Sequence, residues 1–384
     1  MKFSTNAVHA GNEPNLKDGG FGDVIVPIHL STTFARSKVD KPTAGLEYSR
    51  SGNPTRGALE KNLANLEHAK FAYAFSSGLA AITNILLSLK KGDHVISIDD
   101  VYGGTRRLFT RVFQDFGLEF TFADFATGKD IEKYIRKNTK MVWVESPTNP
   151  LMKIIDIASV STAAKKYNLL TVVDNTFASP YFQKPLDLGA DIVIHSMTKY
   201  IGGHSTSVAG AIMINNASLA EKIKFLQNAV GAILSPFDSF MILNGIKTLS
   251  LRMEKHQENA FKVIEFLQKN SKVRKIYFPG LPSHKGYDIA KKQMSGFSGM
   301  LSFELNTNLK SSVRFLESLK LISVAESLGV VESLIEHPAS MTHASVPPEE
   351  RKKIGLSDGL IRLSVGIEDT EDLIDDLSQA LKKI

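Results

Sequence analysis

The sequence predicts an α/β protein: a large, mostly parallel sheet domain with helices on both faces, a smaller C-terminal α/β domain, and an extended N-terminal arm. Three observations carry this expectation. Short β-branched or apolar runs alternate with helix-period stretches through the middle of the chain, the pattern of strand-helix-strand units. The first 56 residues lack such a pattern and are punctuated by Gly20, Pro27, Pro42, Gly52 and Pro54. Past about residue 245 a long amphipathic segment opens a second unit.

Taken in order, residues 1–56 read as the arm and 57–245 as the large domain. Leu59, Leu63 and Leu66 mark one face of its first helix, and apolar runs at 95–98, 141–144, 169–173, 192–194 and 208–214 read as strands. Helix-period stretches lie between them, among them Ile131, Tyr134 and Ile135, and the segment 156–167. Phe109, Phe113 and Phe116 recur at helical spacing and are expected to pack; Trp143 falls in a strand and is expected in the core. Residues 246–384 form the small domain. Ala260, Val263, Ile264 and Leu267 face its core from a long helix. A last helix begins with the acids of Asp369-Thr370-Glu371-Asp372 and ends at Lys382-Lys383, a polarity that suits its dipole, and Leu373, Ile374, Leu377 and Leu381 give it a buried stripe.

Composition removes several classes. The 384 residues are 43% hydrophobic and 22% charged, ordinary for a globular chain with room for about two or three domains. Zero Cys removes disulfides, thiolate nucleophiles and every Cys-based metal site. The ten His are scattered without a His-Glu-x-x-His, and His337 and His343 fit no zinc spacing, so no metal is expected. A net charge of +6 is interleaved along the chain rather than gathered, which argues against nucleic acid as a partner. No apolar run approaches the length that crosses a bilayer, and the N-terminus lacks the apolar core of a secretory signal; a cytoplasmic protein with no membrane partner is the expectation.

Neither a dinucleotide fingerprint, a P-loop nor a nucleophile elbow occurs. What remains is a helix start at Ser76-Ser77-Gly78-Leu79, whose unpaired N–H groups suit a phosphate or a plain cap. Asp174 stands at the carboxyl end of an apolar run, where open α/β sheets bind ligands. Lys199 follows another such run, as either a snorkelling side chain or a desolvated amine. His195 lies within that run and reads as a structural histidine. Together an amine, an acid and a phosphate cradle are the kit that pyridoxal phosphate needs.

Seven segments then carry a resemblance. They are Tyr48-Ser49-Arg50-Ser51-Gly52-Asn53-Pro54, Ser76-Ser77-Gly78-Leu79-Ala80-Ala81, Asp100-Val101-Tyr102-Gly103-Gly104, Glu145-Ser146-Pro147-Thr148-Asn149-Pro150, Val173-Asp174-Asn175-Thr176, Ser196-Met197-Thr198-Lys199-Tyr200 and Arg362-Leu363-Ser364-Val365-Gly366. In this order they resemble the trans-sulfuration enzymes, the cystathionine γ-lyase and γ-synthase family of pyridoxal-phosphate proteins. The resemblance implies fold type I, the aspartate aminotransferase-like fold, with 57–245 binding the cofactor. It implies that Lys199 is the Schiff-base amine and proton shuttle, that Asp174 keeps the ring nitrogen protonated, and that Tyr102 stacks on the ring and serves as an acid-base group if its phenol is partly ionised. Gly78, Leu79, Ser196 and Thr198 would hold the phosphate, with Thr176 beside the cofactor. Tyr48 and Arg50 would reach the phosphate of a neighbouring subunit in a homotetramer. Asn149, Ser327 and Arg362 would bind the substrate carboxylate end, and Glu47 and Glu326 would flank the entrance where its distal end lies.

The resemblance leaves the reaction among cystathionine γ-lyase, γ-synthase and β-lyase, with a catalytically silent binding protein of the same fold as the non-enzyme alternative. Glu47 and Glu326, suited to a distal ammonium, favour the γ-lyase. Gly104 stands where methionine γ-lyases carry Cys, which argues against that branch. Val330 replaces a Gly usual in the family, and a side chain there, near the carboxylate pocket, is expected to narrow the substrate range.

Overall fold

The computed structural model describes residues 1–17, 20–342, 351 and 355–384. Two helices precede the first strand, α1 (Phe3–His9) and α2 (Pro54–Leu66). Asn53 sets the start of α2: its side chain accepts from the N–H groups of Thr55 and Arg56, and Pro54 fills the first helical position. Leu59, Leu63 and Leu66 are buried, as their spacing predicts. The arm differs from expectation in holding α1, whose Ala7 is buried against α2. Seven residues are too few for a periodic pattern to stand out.

The large sheet contains β1 (Phe71–Phe75), β2 (His94–Ile98), β3 (Glu119–Ala123), β4 (Thr139–Glu145), β5 (Leu170–Asp174), β6 (Ile192–Ser196) and β7 (Gly210–Ile214), in the order β1-β7-β6-β5-β4-β2-β3. Pairings β3/β2, β2/β4, β4/β5 and β5/β6 are parallel, whereas β7 pairs antiparallel with both β6 and β1. Strand order reverses between β2 and β4, so a crevice opens beyond the carboxyl ends of the central strands. The sheet centre is mostly apolar: Ile96, Val142, Trp143, Val172 and Ile194 are buried in one core with residues of the covering helices.

A second sheet holds β8 (Val273–Tyr277), β9 (Met300–Leu305), β10 (Ser323–Val324), β11 (Leu334–Glu336) and β12 (Leu360–Ser364), in the order β10-β11-β12-β9-β8. The helix Leu249–Gln268 joins the sheets. Its first turns place Leu249 and Met253 beside Tyr200 and Phe177 of the large unit, and its last turns place Val263, Ile264 and Leu267 on the small sheet. The terminal helix Thr370–Leu381 buries Leu373, Leu377 and Leu381 there, about 2 kcal/mol for each leucine removed from water.

Two readings need correction. Phe116 is 72% exposed, not packed, because the Phe109–Phe113 turn is a π-helix and its wider pitch rotates the later position outward. The run at 208–214 becomes a strand only from Gly210, and Val208 is exposed at the cavity rim. Among the described residues, no helix is long and apolar enough to cross a membrane.

Candidate active site

Three parallel strands end on one cavity of about 330 Å³, at Glu145, Asp174 and Ser196. Glu145 is the cross-strand register partner of Asp174, which fixes both carboxyls at the same level of the sheet. Helix α3 (Gly78–Leu86) points its N-terminus at the same space. Ser77 caps it by accepting the Ala80 N–H at 3.0 Å, which leaves the N–H groups of Gly78 and Leu79 as orphan donors at the cavity wall. A Cβ on Gly78 would come within 3.2 Å of Ser196 Cβ, so the cradle is tight around backbone. Thr176 Oγ1 accepts the Ser196 N–H at 2.9 Å and locks the two strand ends together. The Thr198 hydroxyl accepts from Ala209 N–H at 2.9 Å and donates to Ala209 O at 3.3 Å.

Across the cavity, Lys199 Nζ donates to Ser327 Oγ at 2.7 Å. Burial, then the nearby Arg362 charge, brings this amine down to about 8. Arg362 projects from β12 with Nη1 on Asn149 Oδ1 at 2.9 Å, Nη2 on Ser327 O at 2.7 Å, and Nη1 also 3.0 Å from Glu336 Oε1. Its buried Nε has no partner among the described residues.

Carboxyls crowd the sheet side. Burial pushes Asp174 up from the usual carboxylate value, although Thr176 N–H, 3.0 Å from its Oδ1, opposes this. Glu145 is pushed well above it, by burial first and by Asp174 second. Asp100 rises to about 6 for the same primary reason, held by Thr148 Oγ1 at 2.5 Å. Buried acids that resist ionising alone favour a cation beside them, which is what a protonated pyridine nitrogen at Asp174 provides. With phosphate donors at α3, this acid and a depressed amine all lining one cavity, the residues present fit pyridoxal phosphate.

Tyr102 reaches the cavity from the loop after β2. Its N–H donates to Glu145 Oε2 at 2.9 Å. Burial pushes its phenol up from the ordinary value, and the ionised form considered from sequence would draw on the charge of a cofactor beside the ring.

The structure thus brings Gly78, Leu79, Tyr102, Asn149, Asp174, Thr176, Ser196, Thr198, Lys199, Glu326, Ser327 and Arg362 to one cavity. Glu47, Tyr48 and Arg50 lie elsewhere in the same chain. Glu47 pairs with Arg36 at 2.7 Å, and Arg50 donates to Asn228 O at 2.6 Å while its guanidinium sits 5.6 Å from the centre of the exposed Tyr48 ring. Val330 is buried and does not line the cavity; Leu328 does. His195 is buried with Nε2 2.5 Å from Glu67 Oε1, and His337 is held by Ser340 Oγ and Asp358 O, both structural settings. His343 lies outside the described residues. Sequence reasoning missed Ser77, Glu145 and Glu336 as site residues. The first two sit inside quoted motifs, at a helix cap and a strand end; Glu336 carries no local signal.

Comparison with known proteins follows the same lines. Residues 4–382 match the family described as Cys/Met metabolism PLP-dependent enzyme. The chain is 55% identical over 382 residues to cystathionine gamma-lyase of Dictyostelium discoideum, covering 100% of this chain and 98% of that protein. It is 52% identical over 381 residues to cystathionine beta-lyase of Coxiella burnetii, covering 99% and 97%. A crystal structure of cystathionine gamma-lyase from Lactobacillus plantarum complexed with L-serine superposes with a TM-score of 0.96 at 46% identity, covering 100% of this chain and 99% of that one.

Proposed function

The chain belongs to the Cys/Met metabolism PLP-dependent enzyme family, and from that membership we infer that it is a cystathionine γ-lyase, releasing cysteine, 2-oxobutyrate and ammonia from cystathionine by α,γ-elimination. It is a pyridoxal-phosphate enzyme of fold type I acting on an amino-acid substrate. One observation carries the choice of substrate: the cavity that holds the Lys199 amine also holds Arg362, for an α-carboxylate, and Glu326, for a second ammonium at the far end of the substrate; the γ-lyase reading among cystathionine enzymes is supported by relatives of that name.

When bound, the cofactor supplies an aldehyde that condenses with an amine and a ring that takes up the electron pair left at Cα. Lys199 Nζ, partly neutral near neutral pH, takes the proton from Cα, must hand that proton on to become a free amine again, and then takes one from Cβ; a β-elimination needs only the first removal. Ser327 Oγ limits where that amine swings. Arg362 and Asn149, already bonded to each other, present a planar fork to the carboxylate. Tyr102, with its phenolic proton retained, is a donor for the departing sulfur.

The reading extends to a cytoplasmic homotetramer whose subunits share sites, with no nucleic acid or membrane partner. In it, arm 1–56 of one subunit brings Tyr48, Arg50 and Glu47 to its neighbour, 57–245 binds the cofactor, and 246–384 is the smaller domain. Exposed Leu16, Phe21, Leu30 and Val39 along the arm, apolar surface without a covering element in one chain, support it.

Relatives named β-lyase are about as similar as those named γ-lyase, so product analysis is the test. Purified protein given cystathionine should yield 2-oxobutyrate ahead of pyruvate, and elimination should exceed replacement on an O-acyl homoserine with cysteine. Dominant pyruvate assigns it as a β-lyase, and dominant replacement as a γ-synthase.

A further inference from the structure

Arg362 does not wait for its ligand alone. Glu336 on β11 is its register partner across to β12, so the backbone pairing itself sets the two side chains against each other. The ion pair closes at 3.0 Å with both side chains almost wholly buried, 3% and 0% exposed. Thr342 Oγ1 donates to Glu336 Oε1 at 2.8 Å and holds the carboxylate in that pose, while Glu336 Oε2 is buried without a partner among the described residues. A buried carboxylate left half-satisfied is costly, and its position beside the Arg362 guanidinium gives it a task.

We propose that Glu336 is a positioning residue for substrate recognition: a resident counter-ion that orients Arg362 and tempers its charge, so that an incoming α-carboxylate meets a fixed fork of reduced pull. The inference rests on the reading of Arg362 as the carboxylate clamp. Nη1 is committed to Asn149 and Glu336, and Nη2 gives one hydrogen to Ser327 O. Nε, without a partner among the described residues, and one Nη2 hydrogen remain for the ligand. Without Glu336 the guanidinium would be a bare buried cation. Loss of the Glu336 charge alone would make it bind carboxylates more strongly, whereas loss of the whole side chain would also free its plane and weaken the grip below that of the parent. Glu336 also acts on Lys199, where Arg362 depresses the amine and Glu336 opposes that effect. The counter-ion therefore offsets the repulsion between two cations that share one cavity.

The experiment compares two ligands on the pyridoxal-phosphate-loaded protein, L-alanine and ethylamine, which differ by the carboxylate alone. Binding is read as a shift of the cofactor's visible absorbance, and the result is the ratio of the two dissociation constants, in which effects on the amine cancel. Glu336→Gln keeps an acceptor for Nη1 and removes the charge, so the ratio should move about 3- to 10-fold in favour of alanine. Glu336→Ala removes both, and the ratio should move the other way. Glu336→Asp, which keeps the charge, should stay nearer the parent than either. A Gln variant within twofold of the parent, or Gln and Ala variants moving in the same direction, overturns the proposal, and the Gln variant decides alone should the Ala variant not fold. Arg362→Ala tests the underlying reading separately: it should erase the preference for alanine, and a preserved preference removes Arg362 as the clamp whatever the Glu336 variants do.

Discussion

Lys199 Nζ and Ser327 Oγ meet at 2.7 Å, and the same serine's carbonyl takes Arg362 Nη2 at 2.7 Å. One residue between β10 and β11 of the smaller sheet therefore holds two cations of a cavity whose floor belongs to the large sheet. Ser327 does this from a φ of 90°, a conformation that costs a side-chain-bearing residue about 1–3 kcal/mol and persists only when its surroundings impose it.

Two substitutions separate the tether from the strain. Ser327→Ala removes Oγ and keeps the strained Cβ; Ser327→Gly removes both. Turnover should fall about tenfold in each, since the amine loses the contact that aims it. The Gly variant should be more stable than the Ala variant by about 1 kcal/mol, the reverse of the usual order in a helix. Steady-state kinetics and urea unfolding check this, and an Ala variant with parental turnover removes the tether.

The pH dependence of cofactor capture follows from the Lys199 amine. An ordinary lysine becomes neutral only above 10.5, but burial brings this one to about 8. Only the neutral amine attacks an aldehyde, so the rate at which cofactor-free protein takes up pyridoxal phosphate should climb to about pH 8 and then level off. Continued tenfold gains per pH unit up to pH 10 would show that the site leaves the amine unperturbed.

Gly104 sets the space for Tyr102. A Cβ at position 104 would stand 2.4 Å from Tyr102 Cε1, so any side chain there displaces the ring. Gly104→Ala should lower kcat about 10- to 100-fold and shift the visible band of the bound cofactor, with the melting temperature little changed. Parental turnover and spectrum in that variant would show that the ring's position does not matter.

How much of this was legible depended on whether a residue's role is local. Asp174 and Lys199 follow apolar runs, and a strand's carboxyl end can be read from one stretch of chain. The partnership of Asn149 and Arg362, 213 residues apart, came from resemblance and not from any pattern. Glu336 was invisible because its meaning lies in a cross-strand register that a three-residue strand does not announce. The antiparallel edge of the large sheet escaped for a related reason: the run ending at Ile214 is apolar on both faces, and such a run reads alike in either direction.

His256 makes stability sensitive to acid. Its ring is buried between the two sheets, with Nδ1 2.7 Å from Val365 O, and burial lowers it from 6.5 to about 4. In the folded chain the ring stays neutral where the unfolded chain already binds a proton. The contribution is thus fully present above pH 6.5 and is lost as pH falls towards 4, up to about 3 kcal/mol at the end of that window. His94 is lowered to about 4 by burial as well, so it loses stability in the same direction. His256→Gln retains a donor for Val365 O and does not titrate, so the fall in unfolding free energy between pH 7 and 4.5 should be shallower in that variant while His94 keeps it above zero. Urea unfolding across that range decides it: an unchanged slope would show that the buried ring at 256 is not what acid attacks.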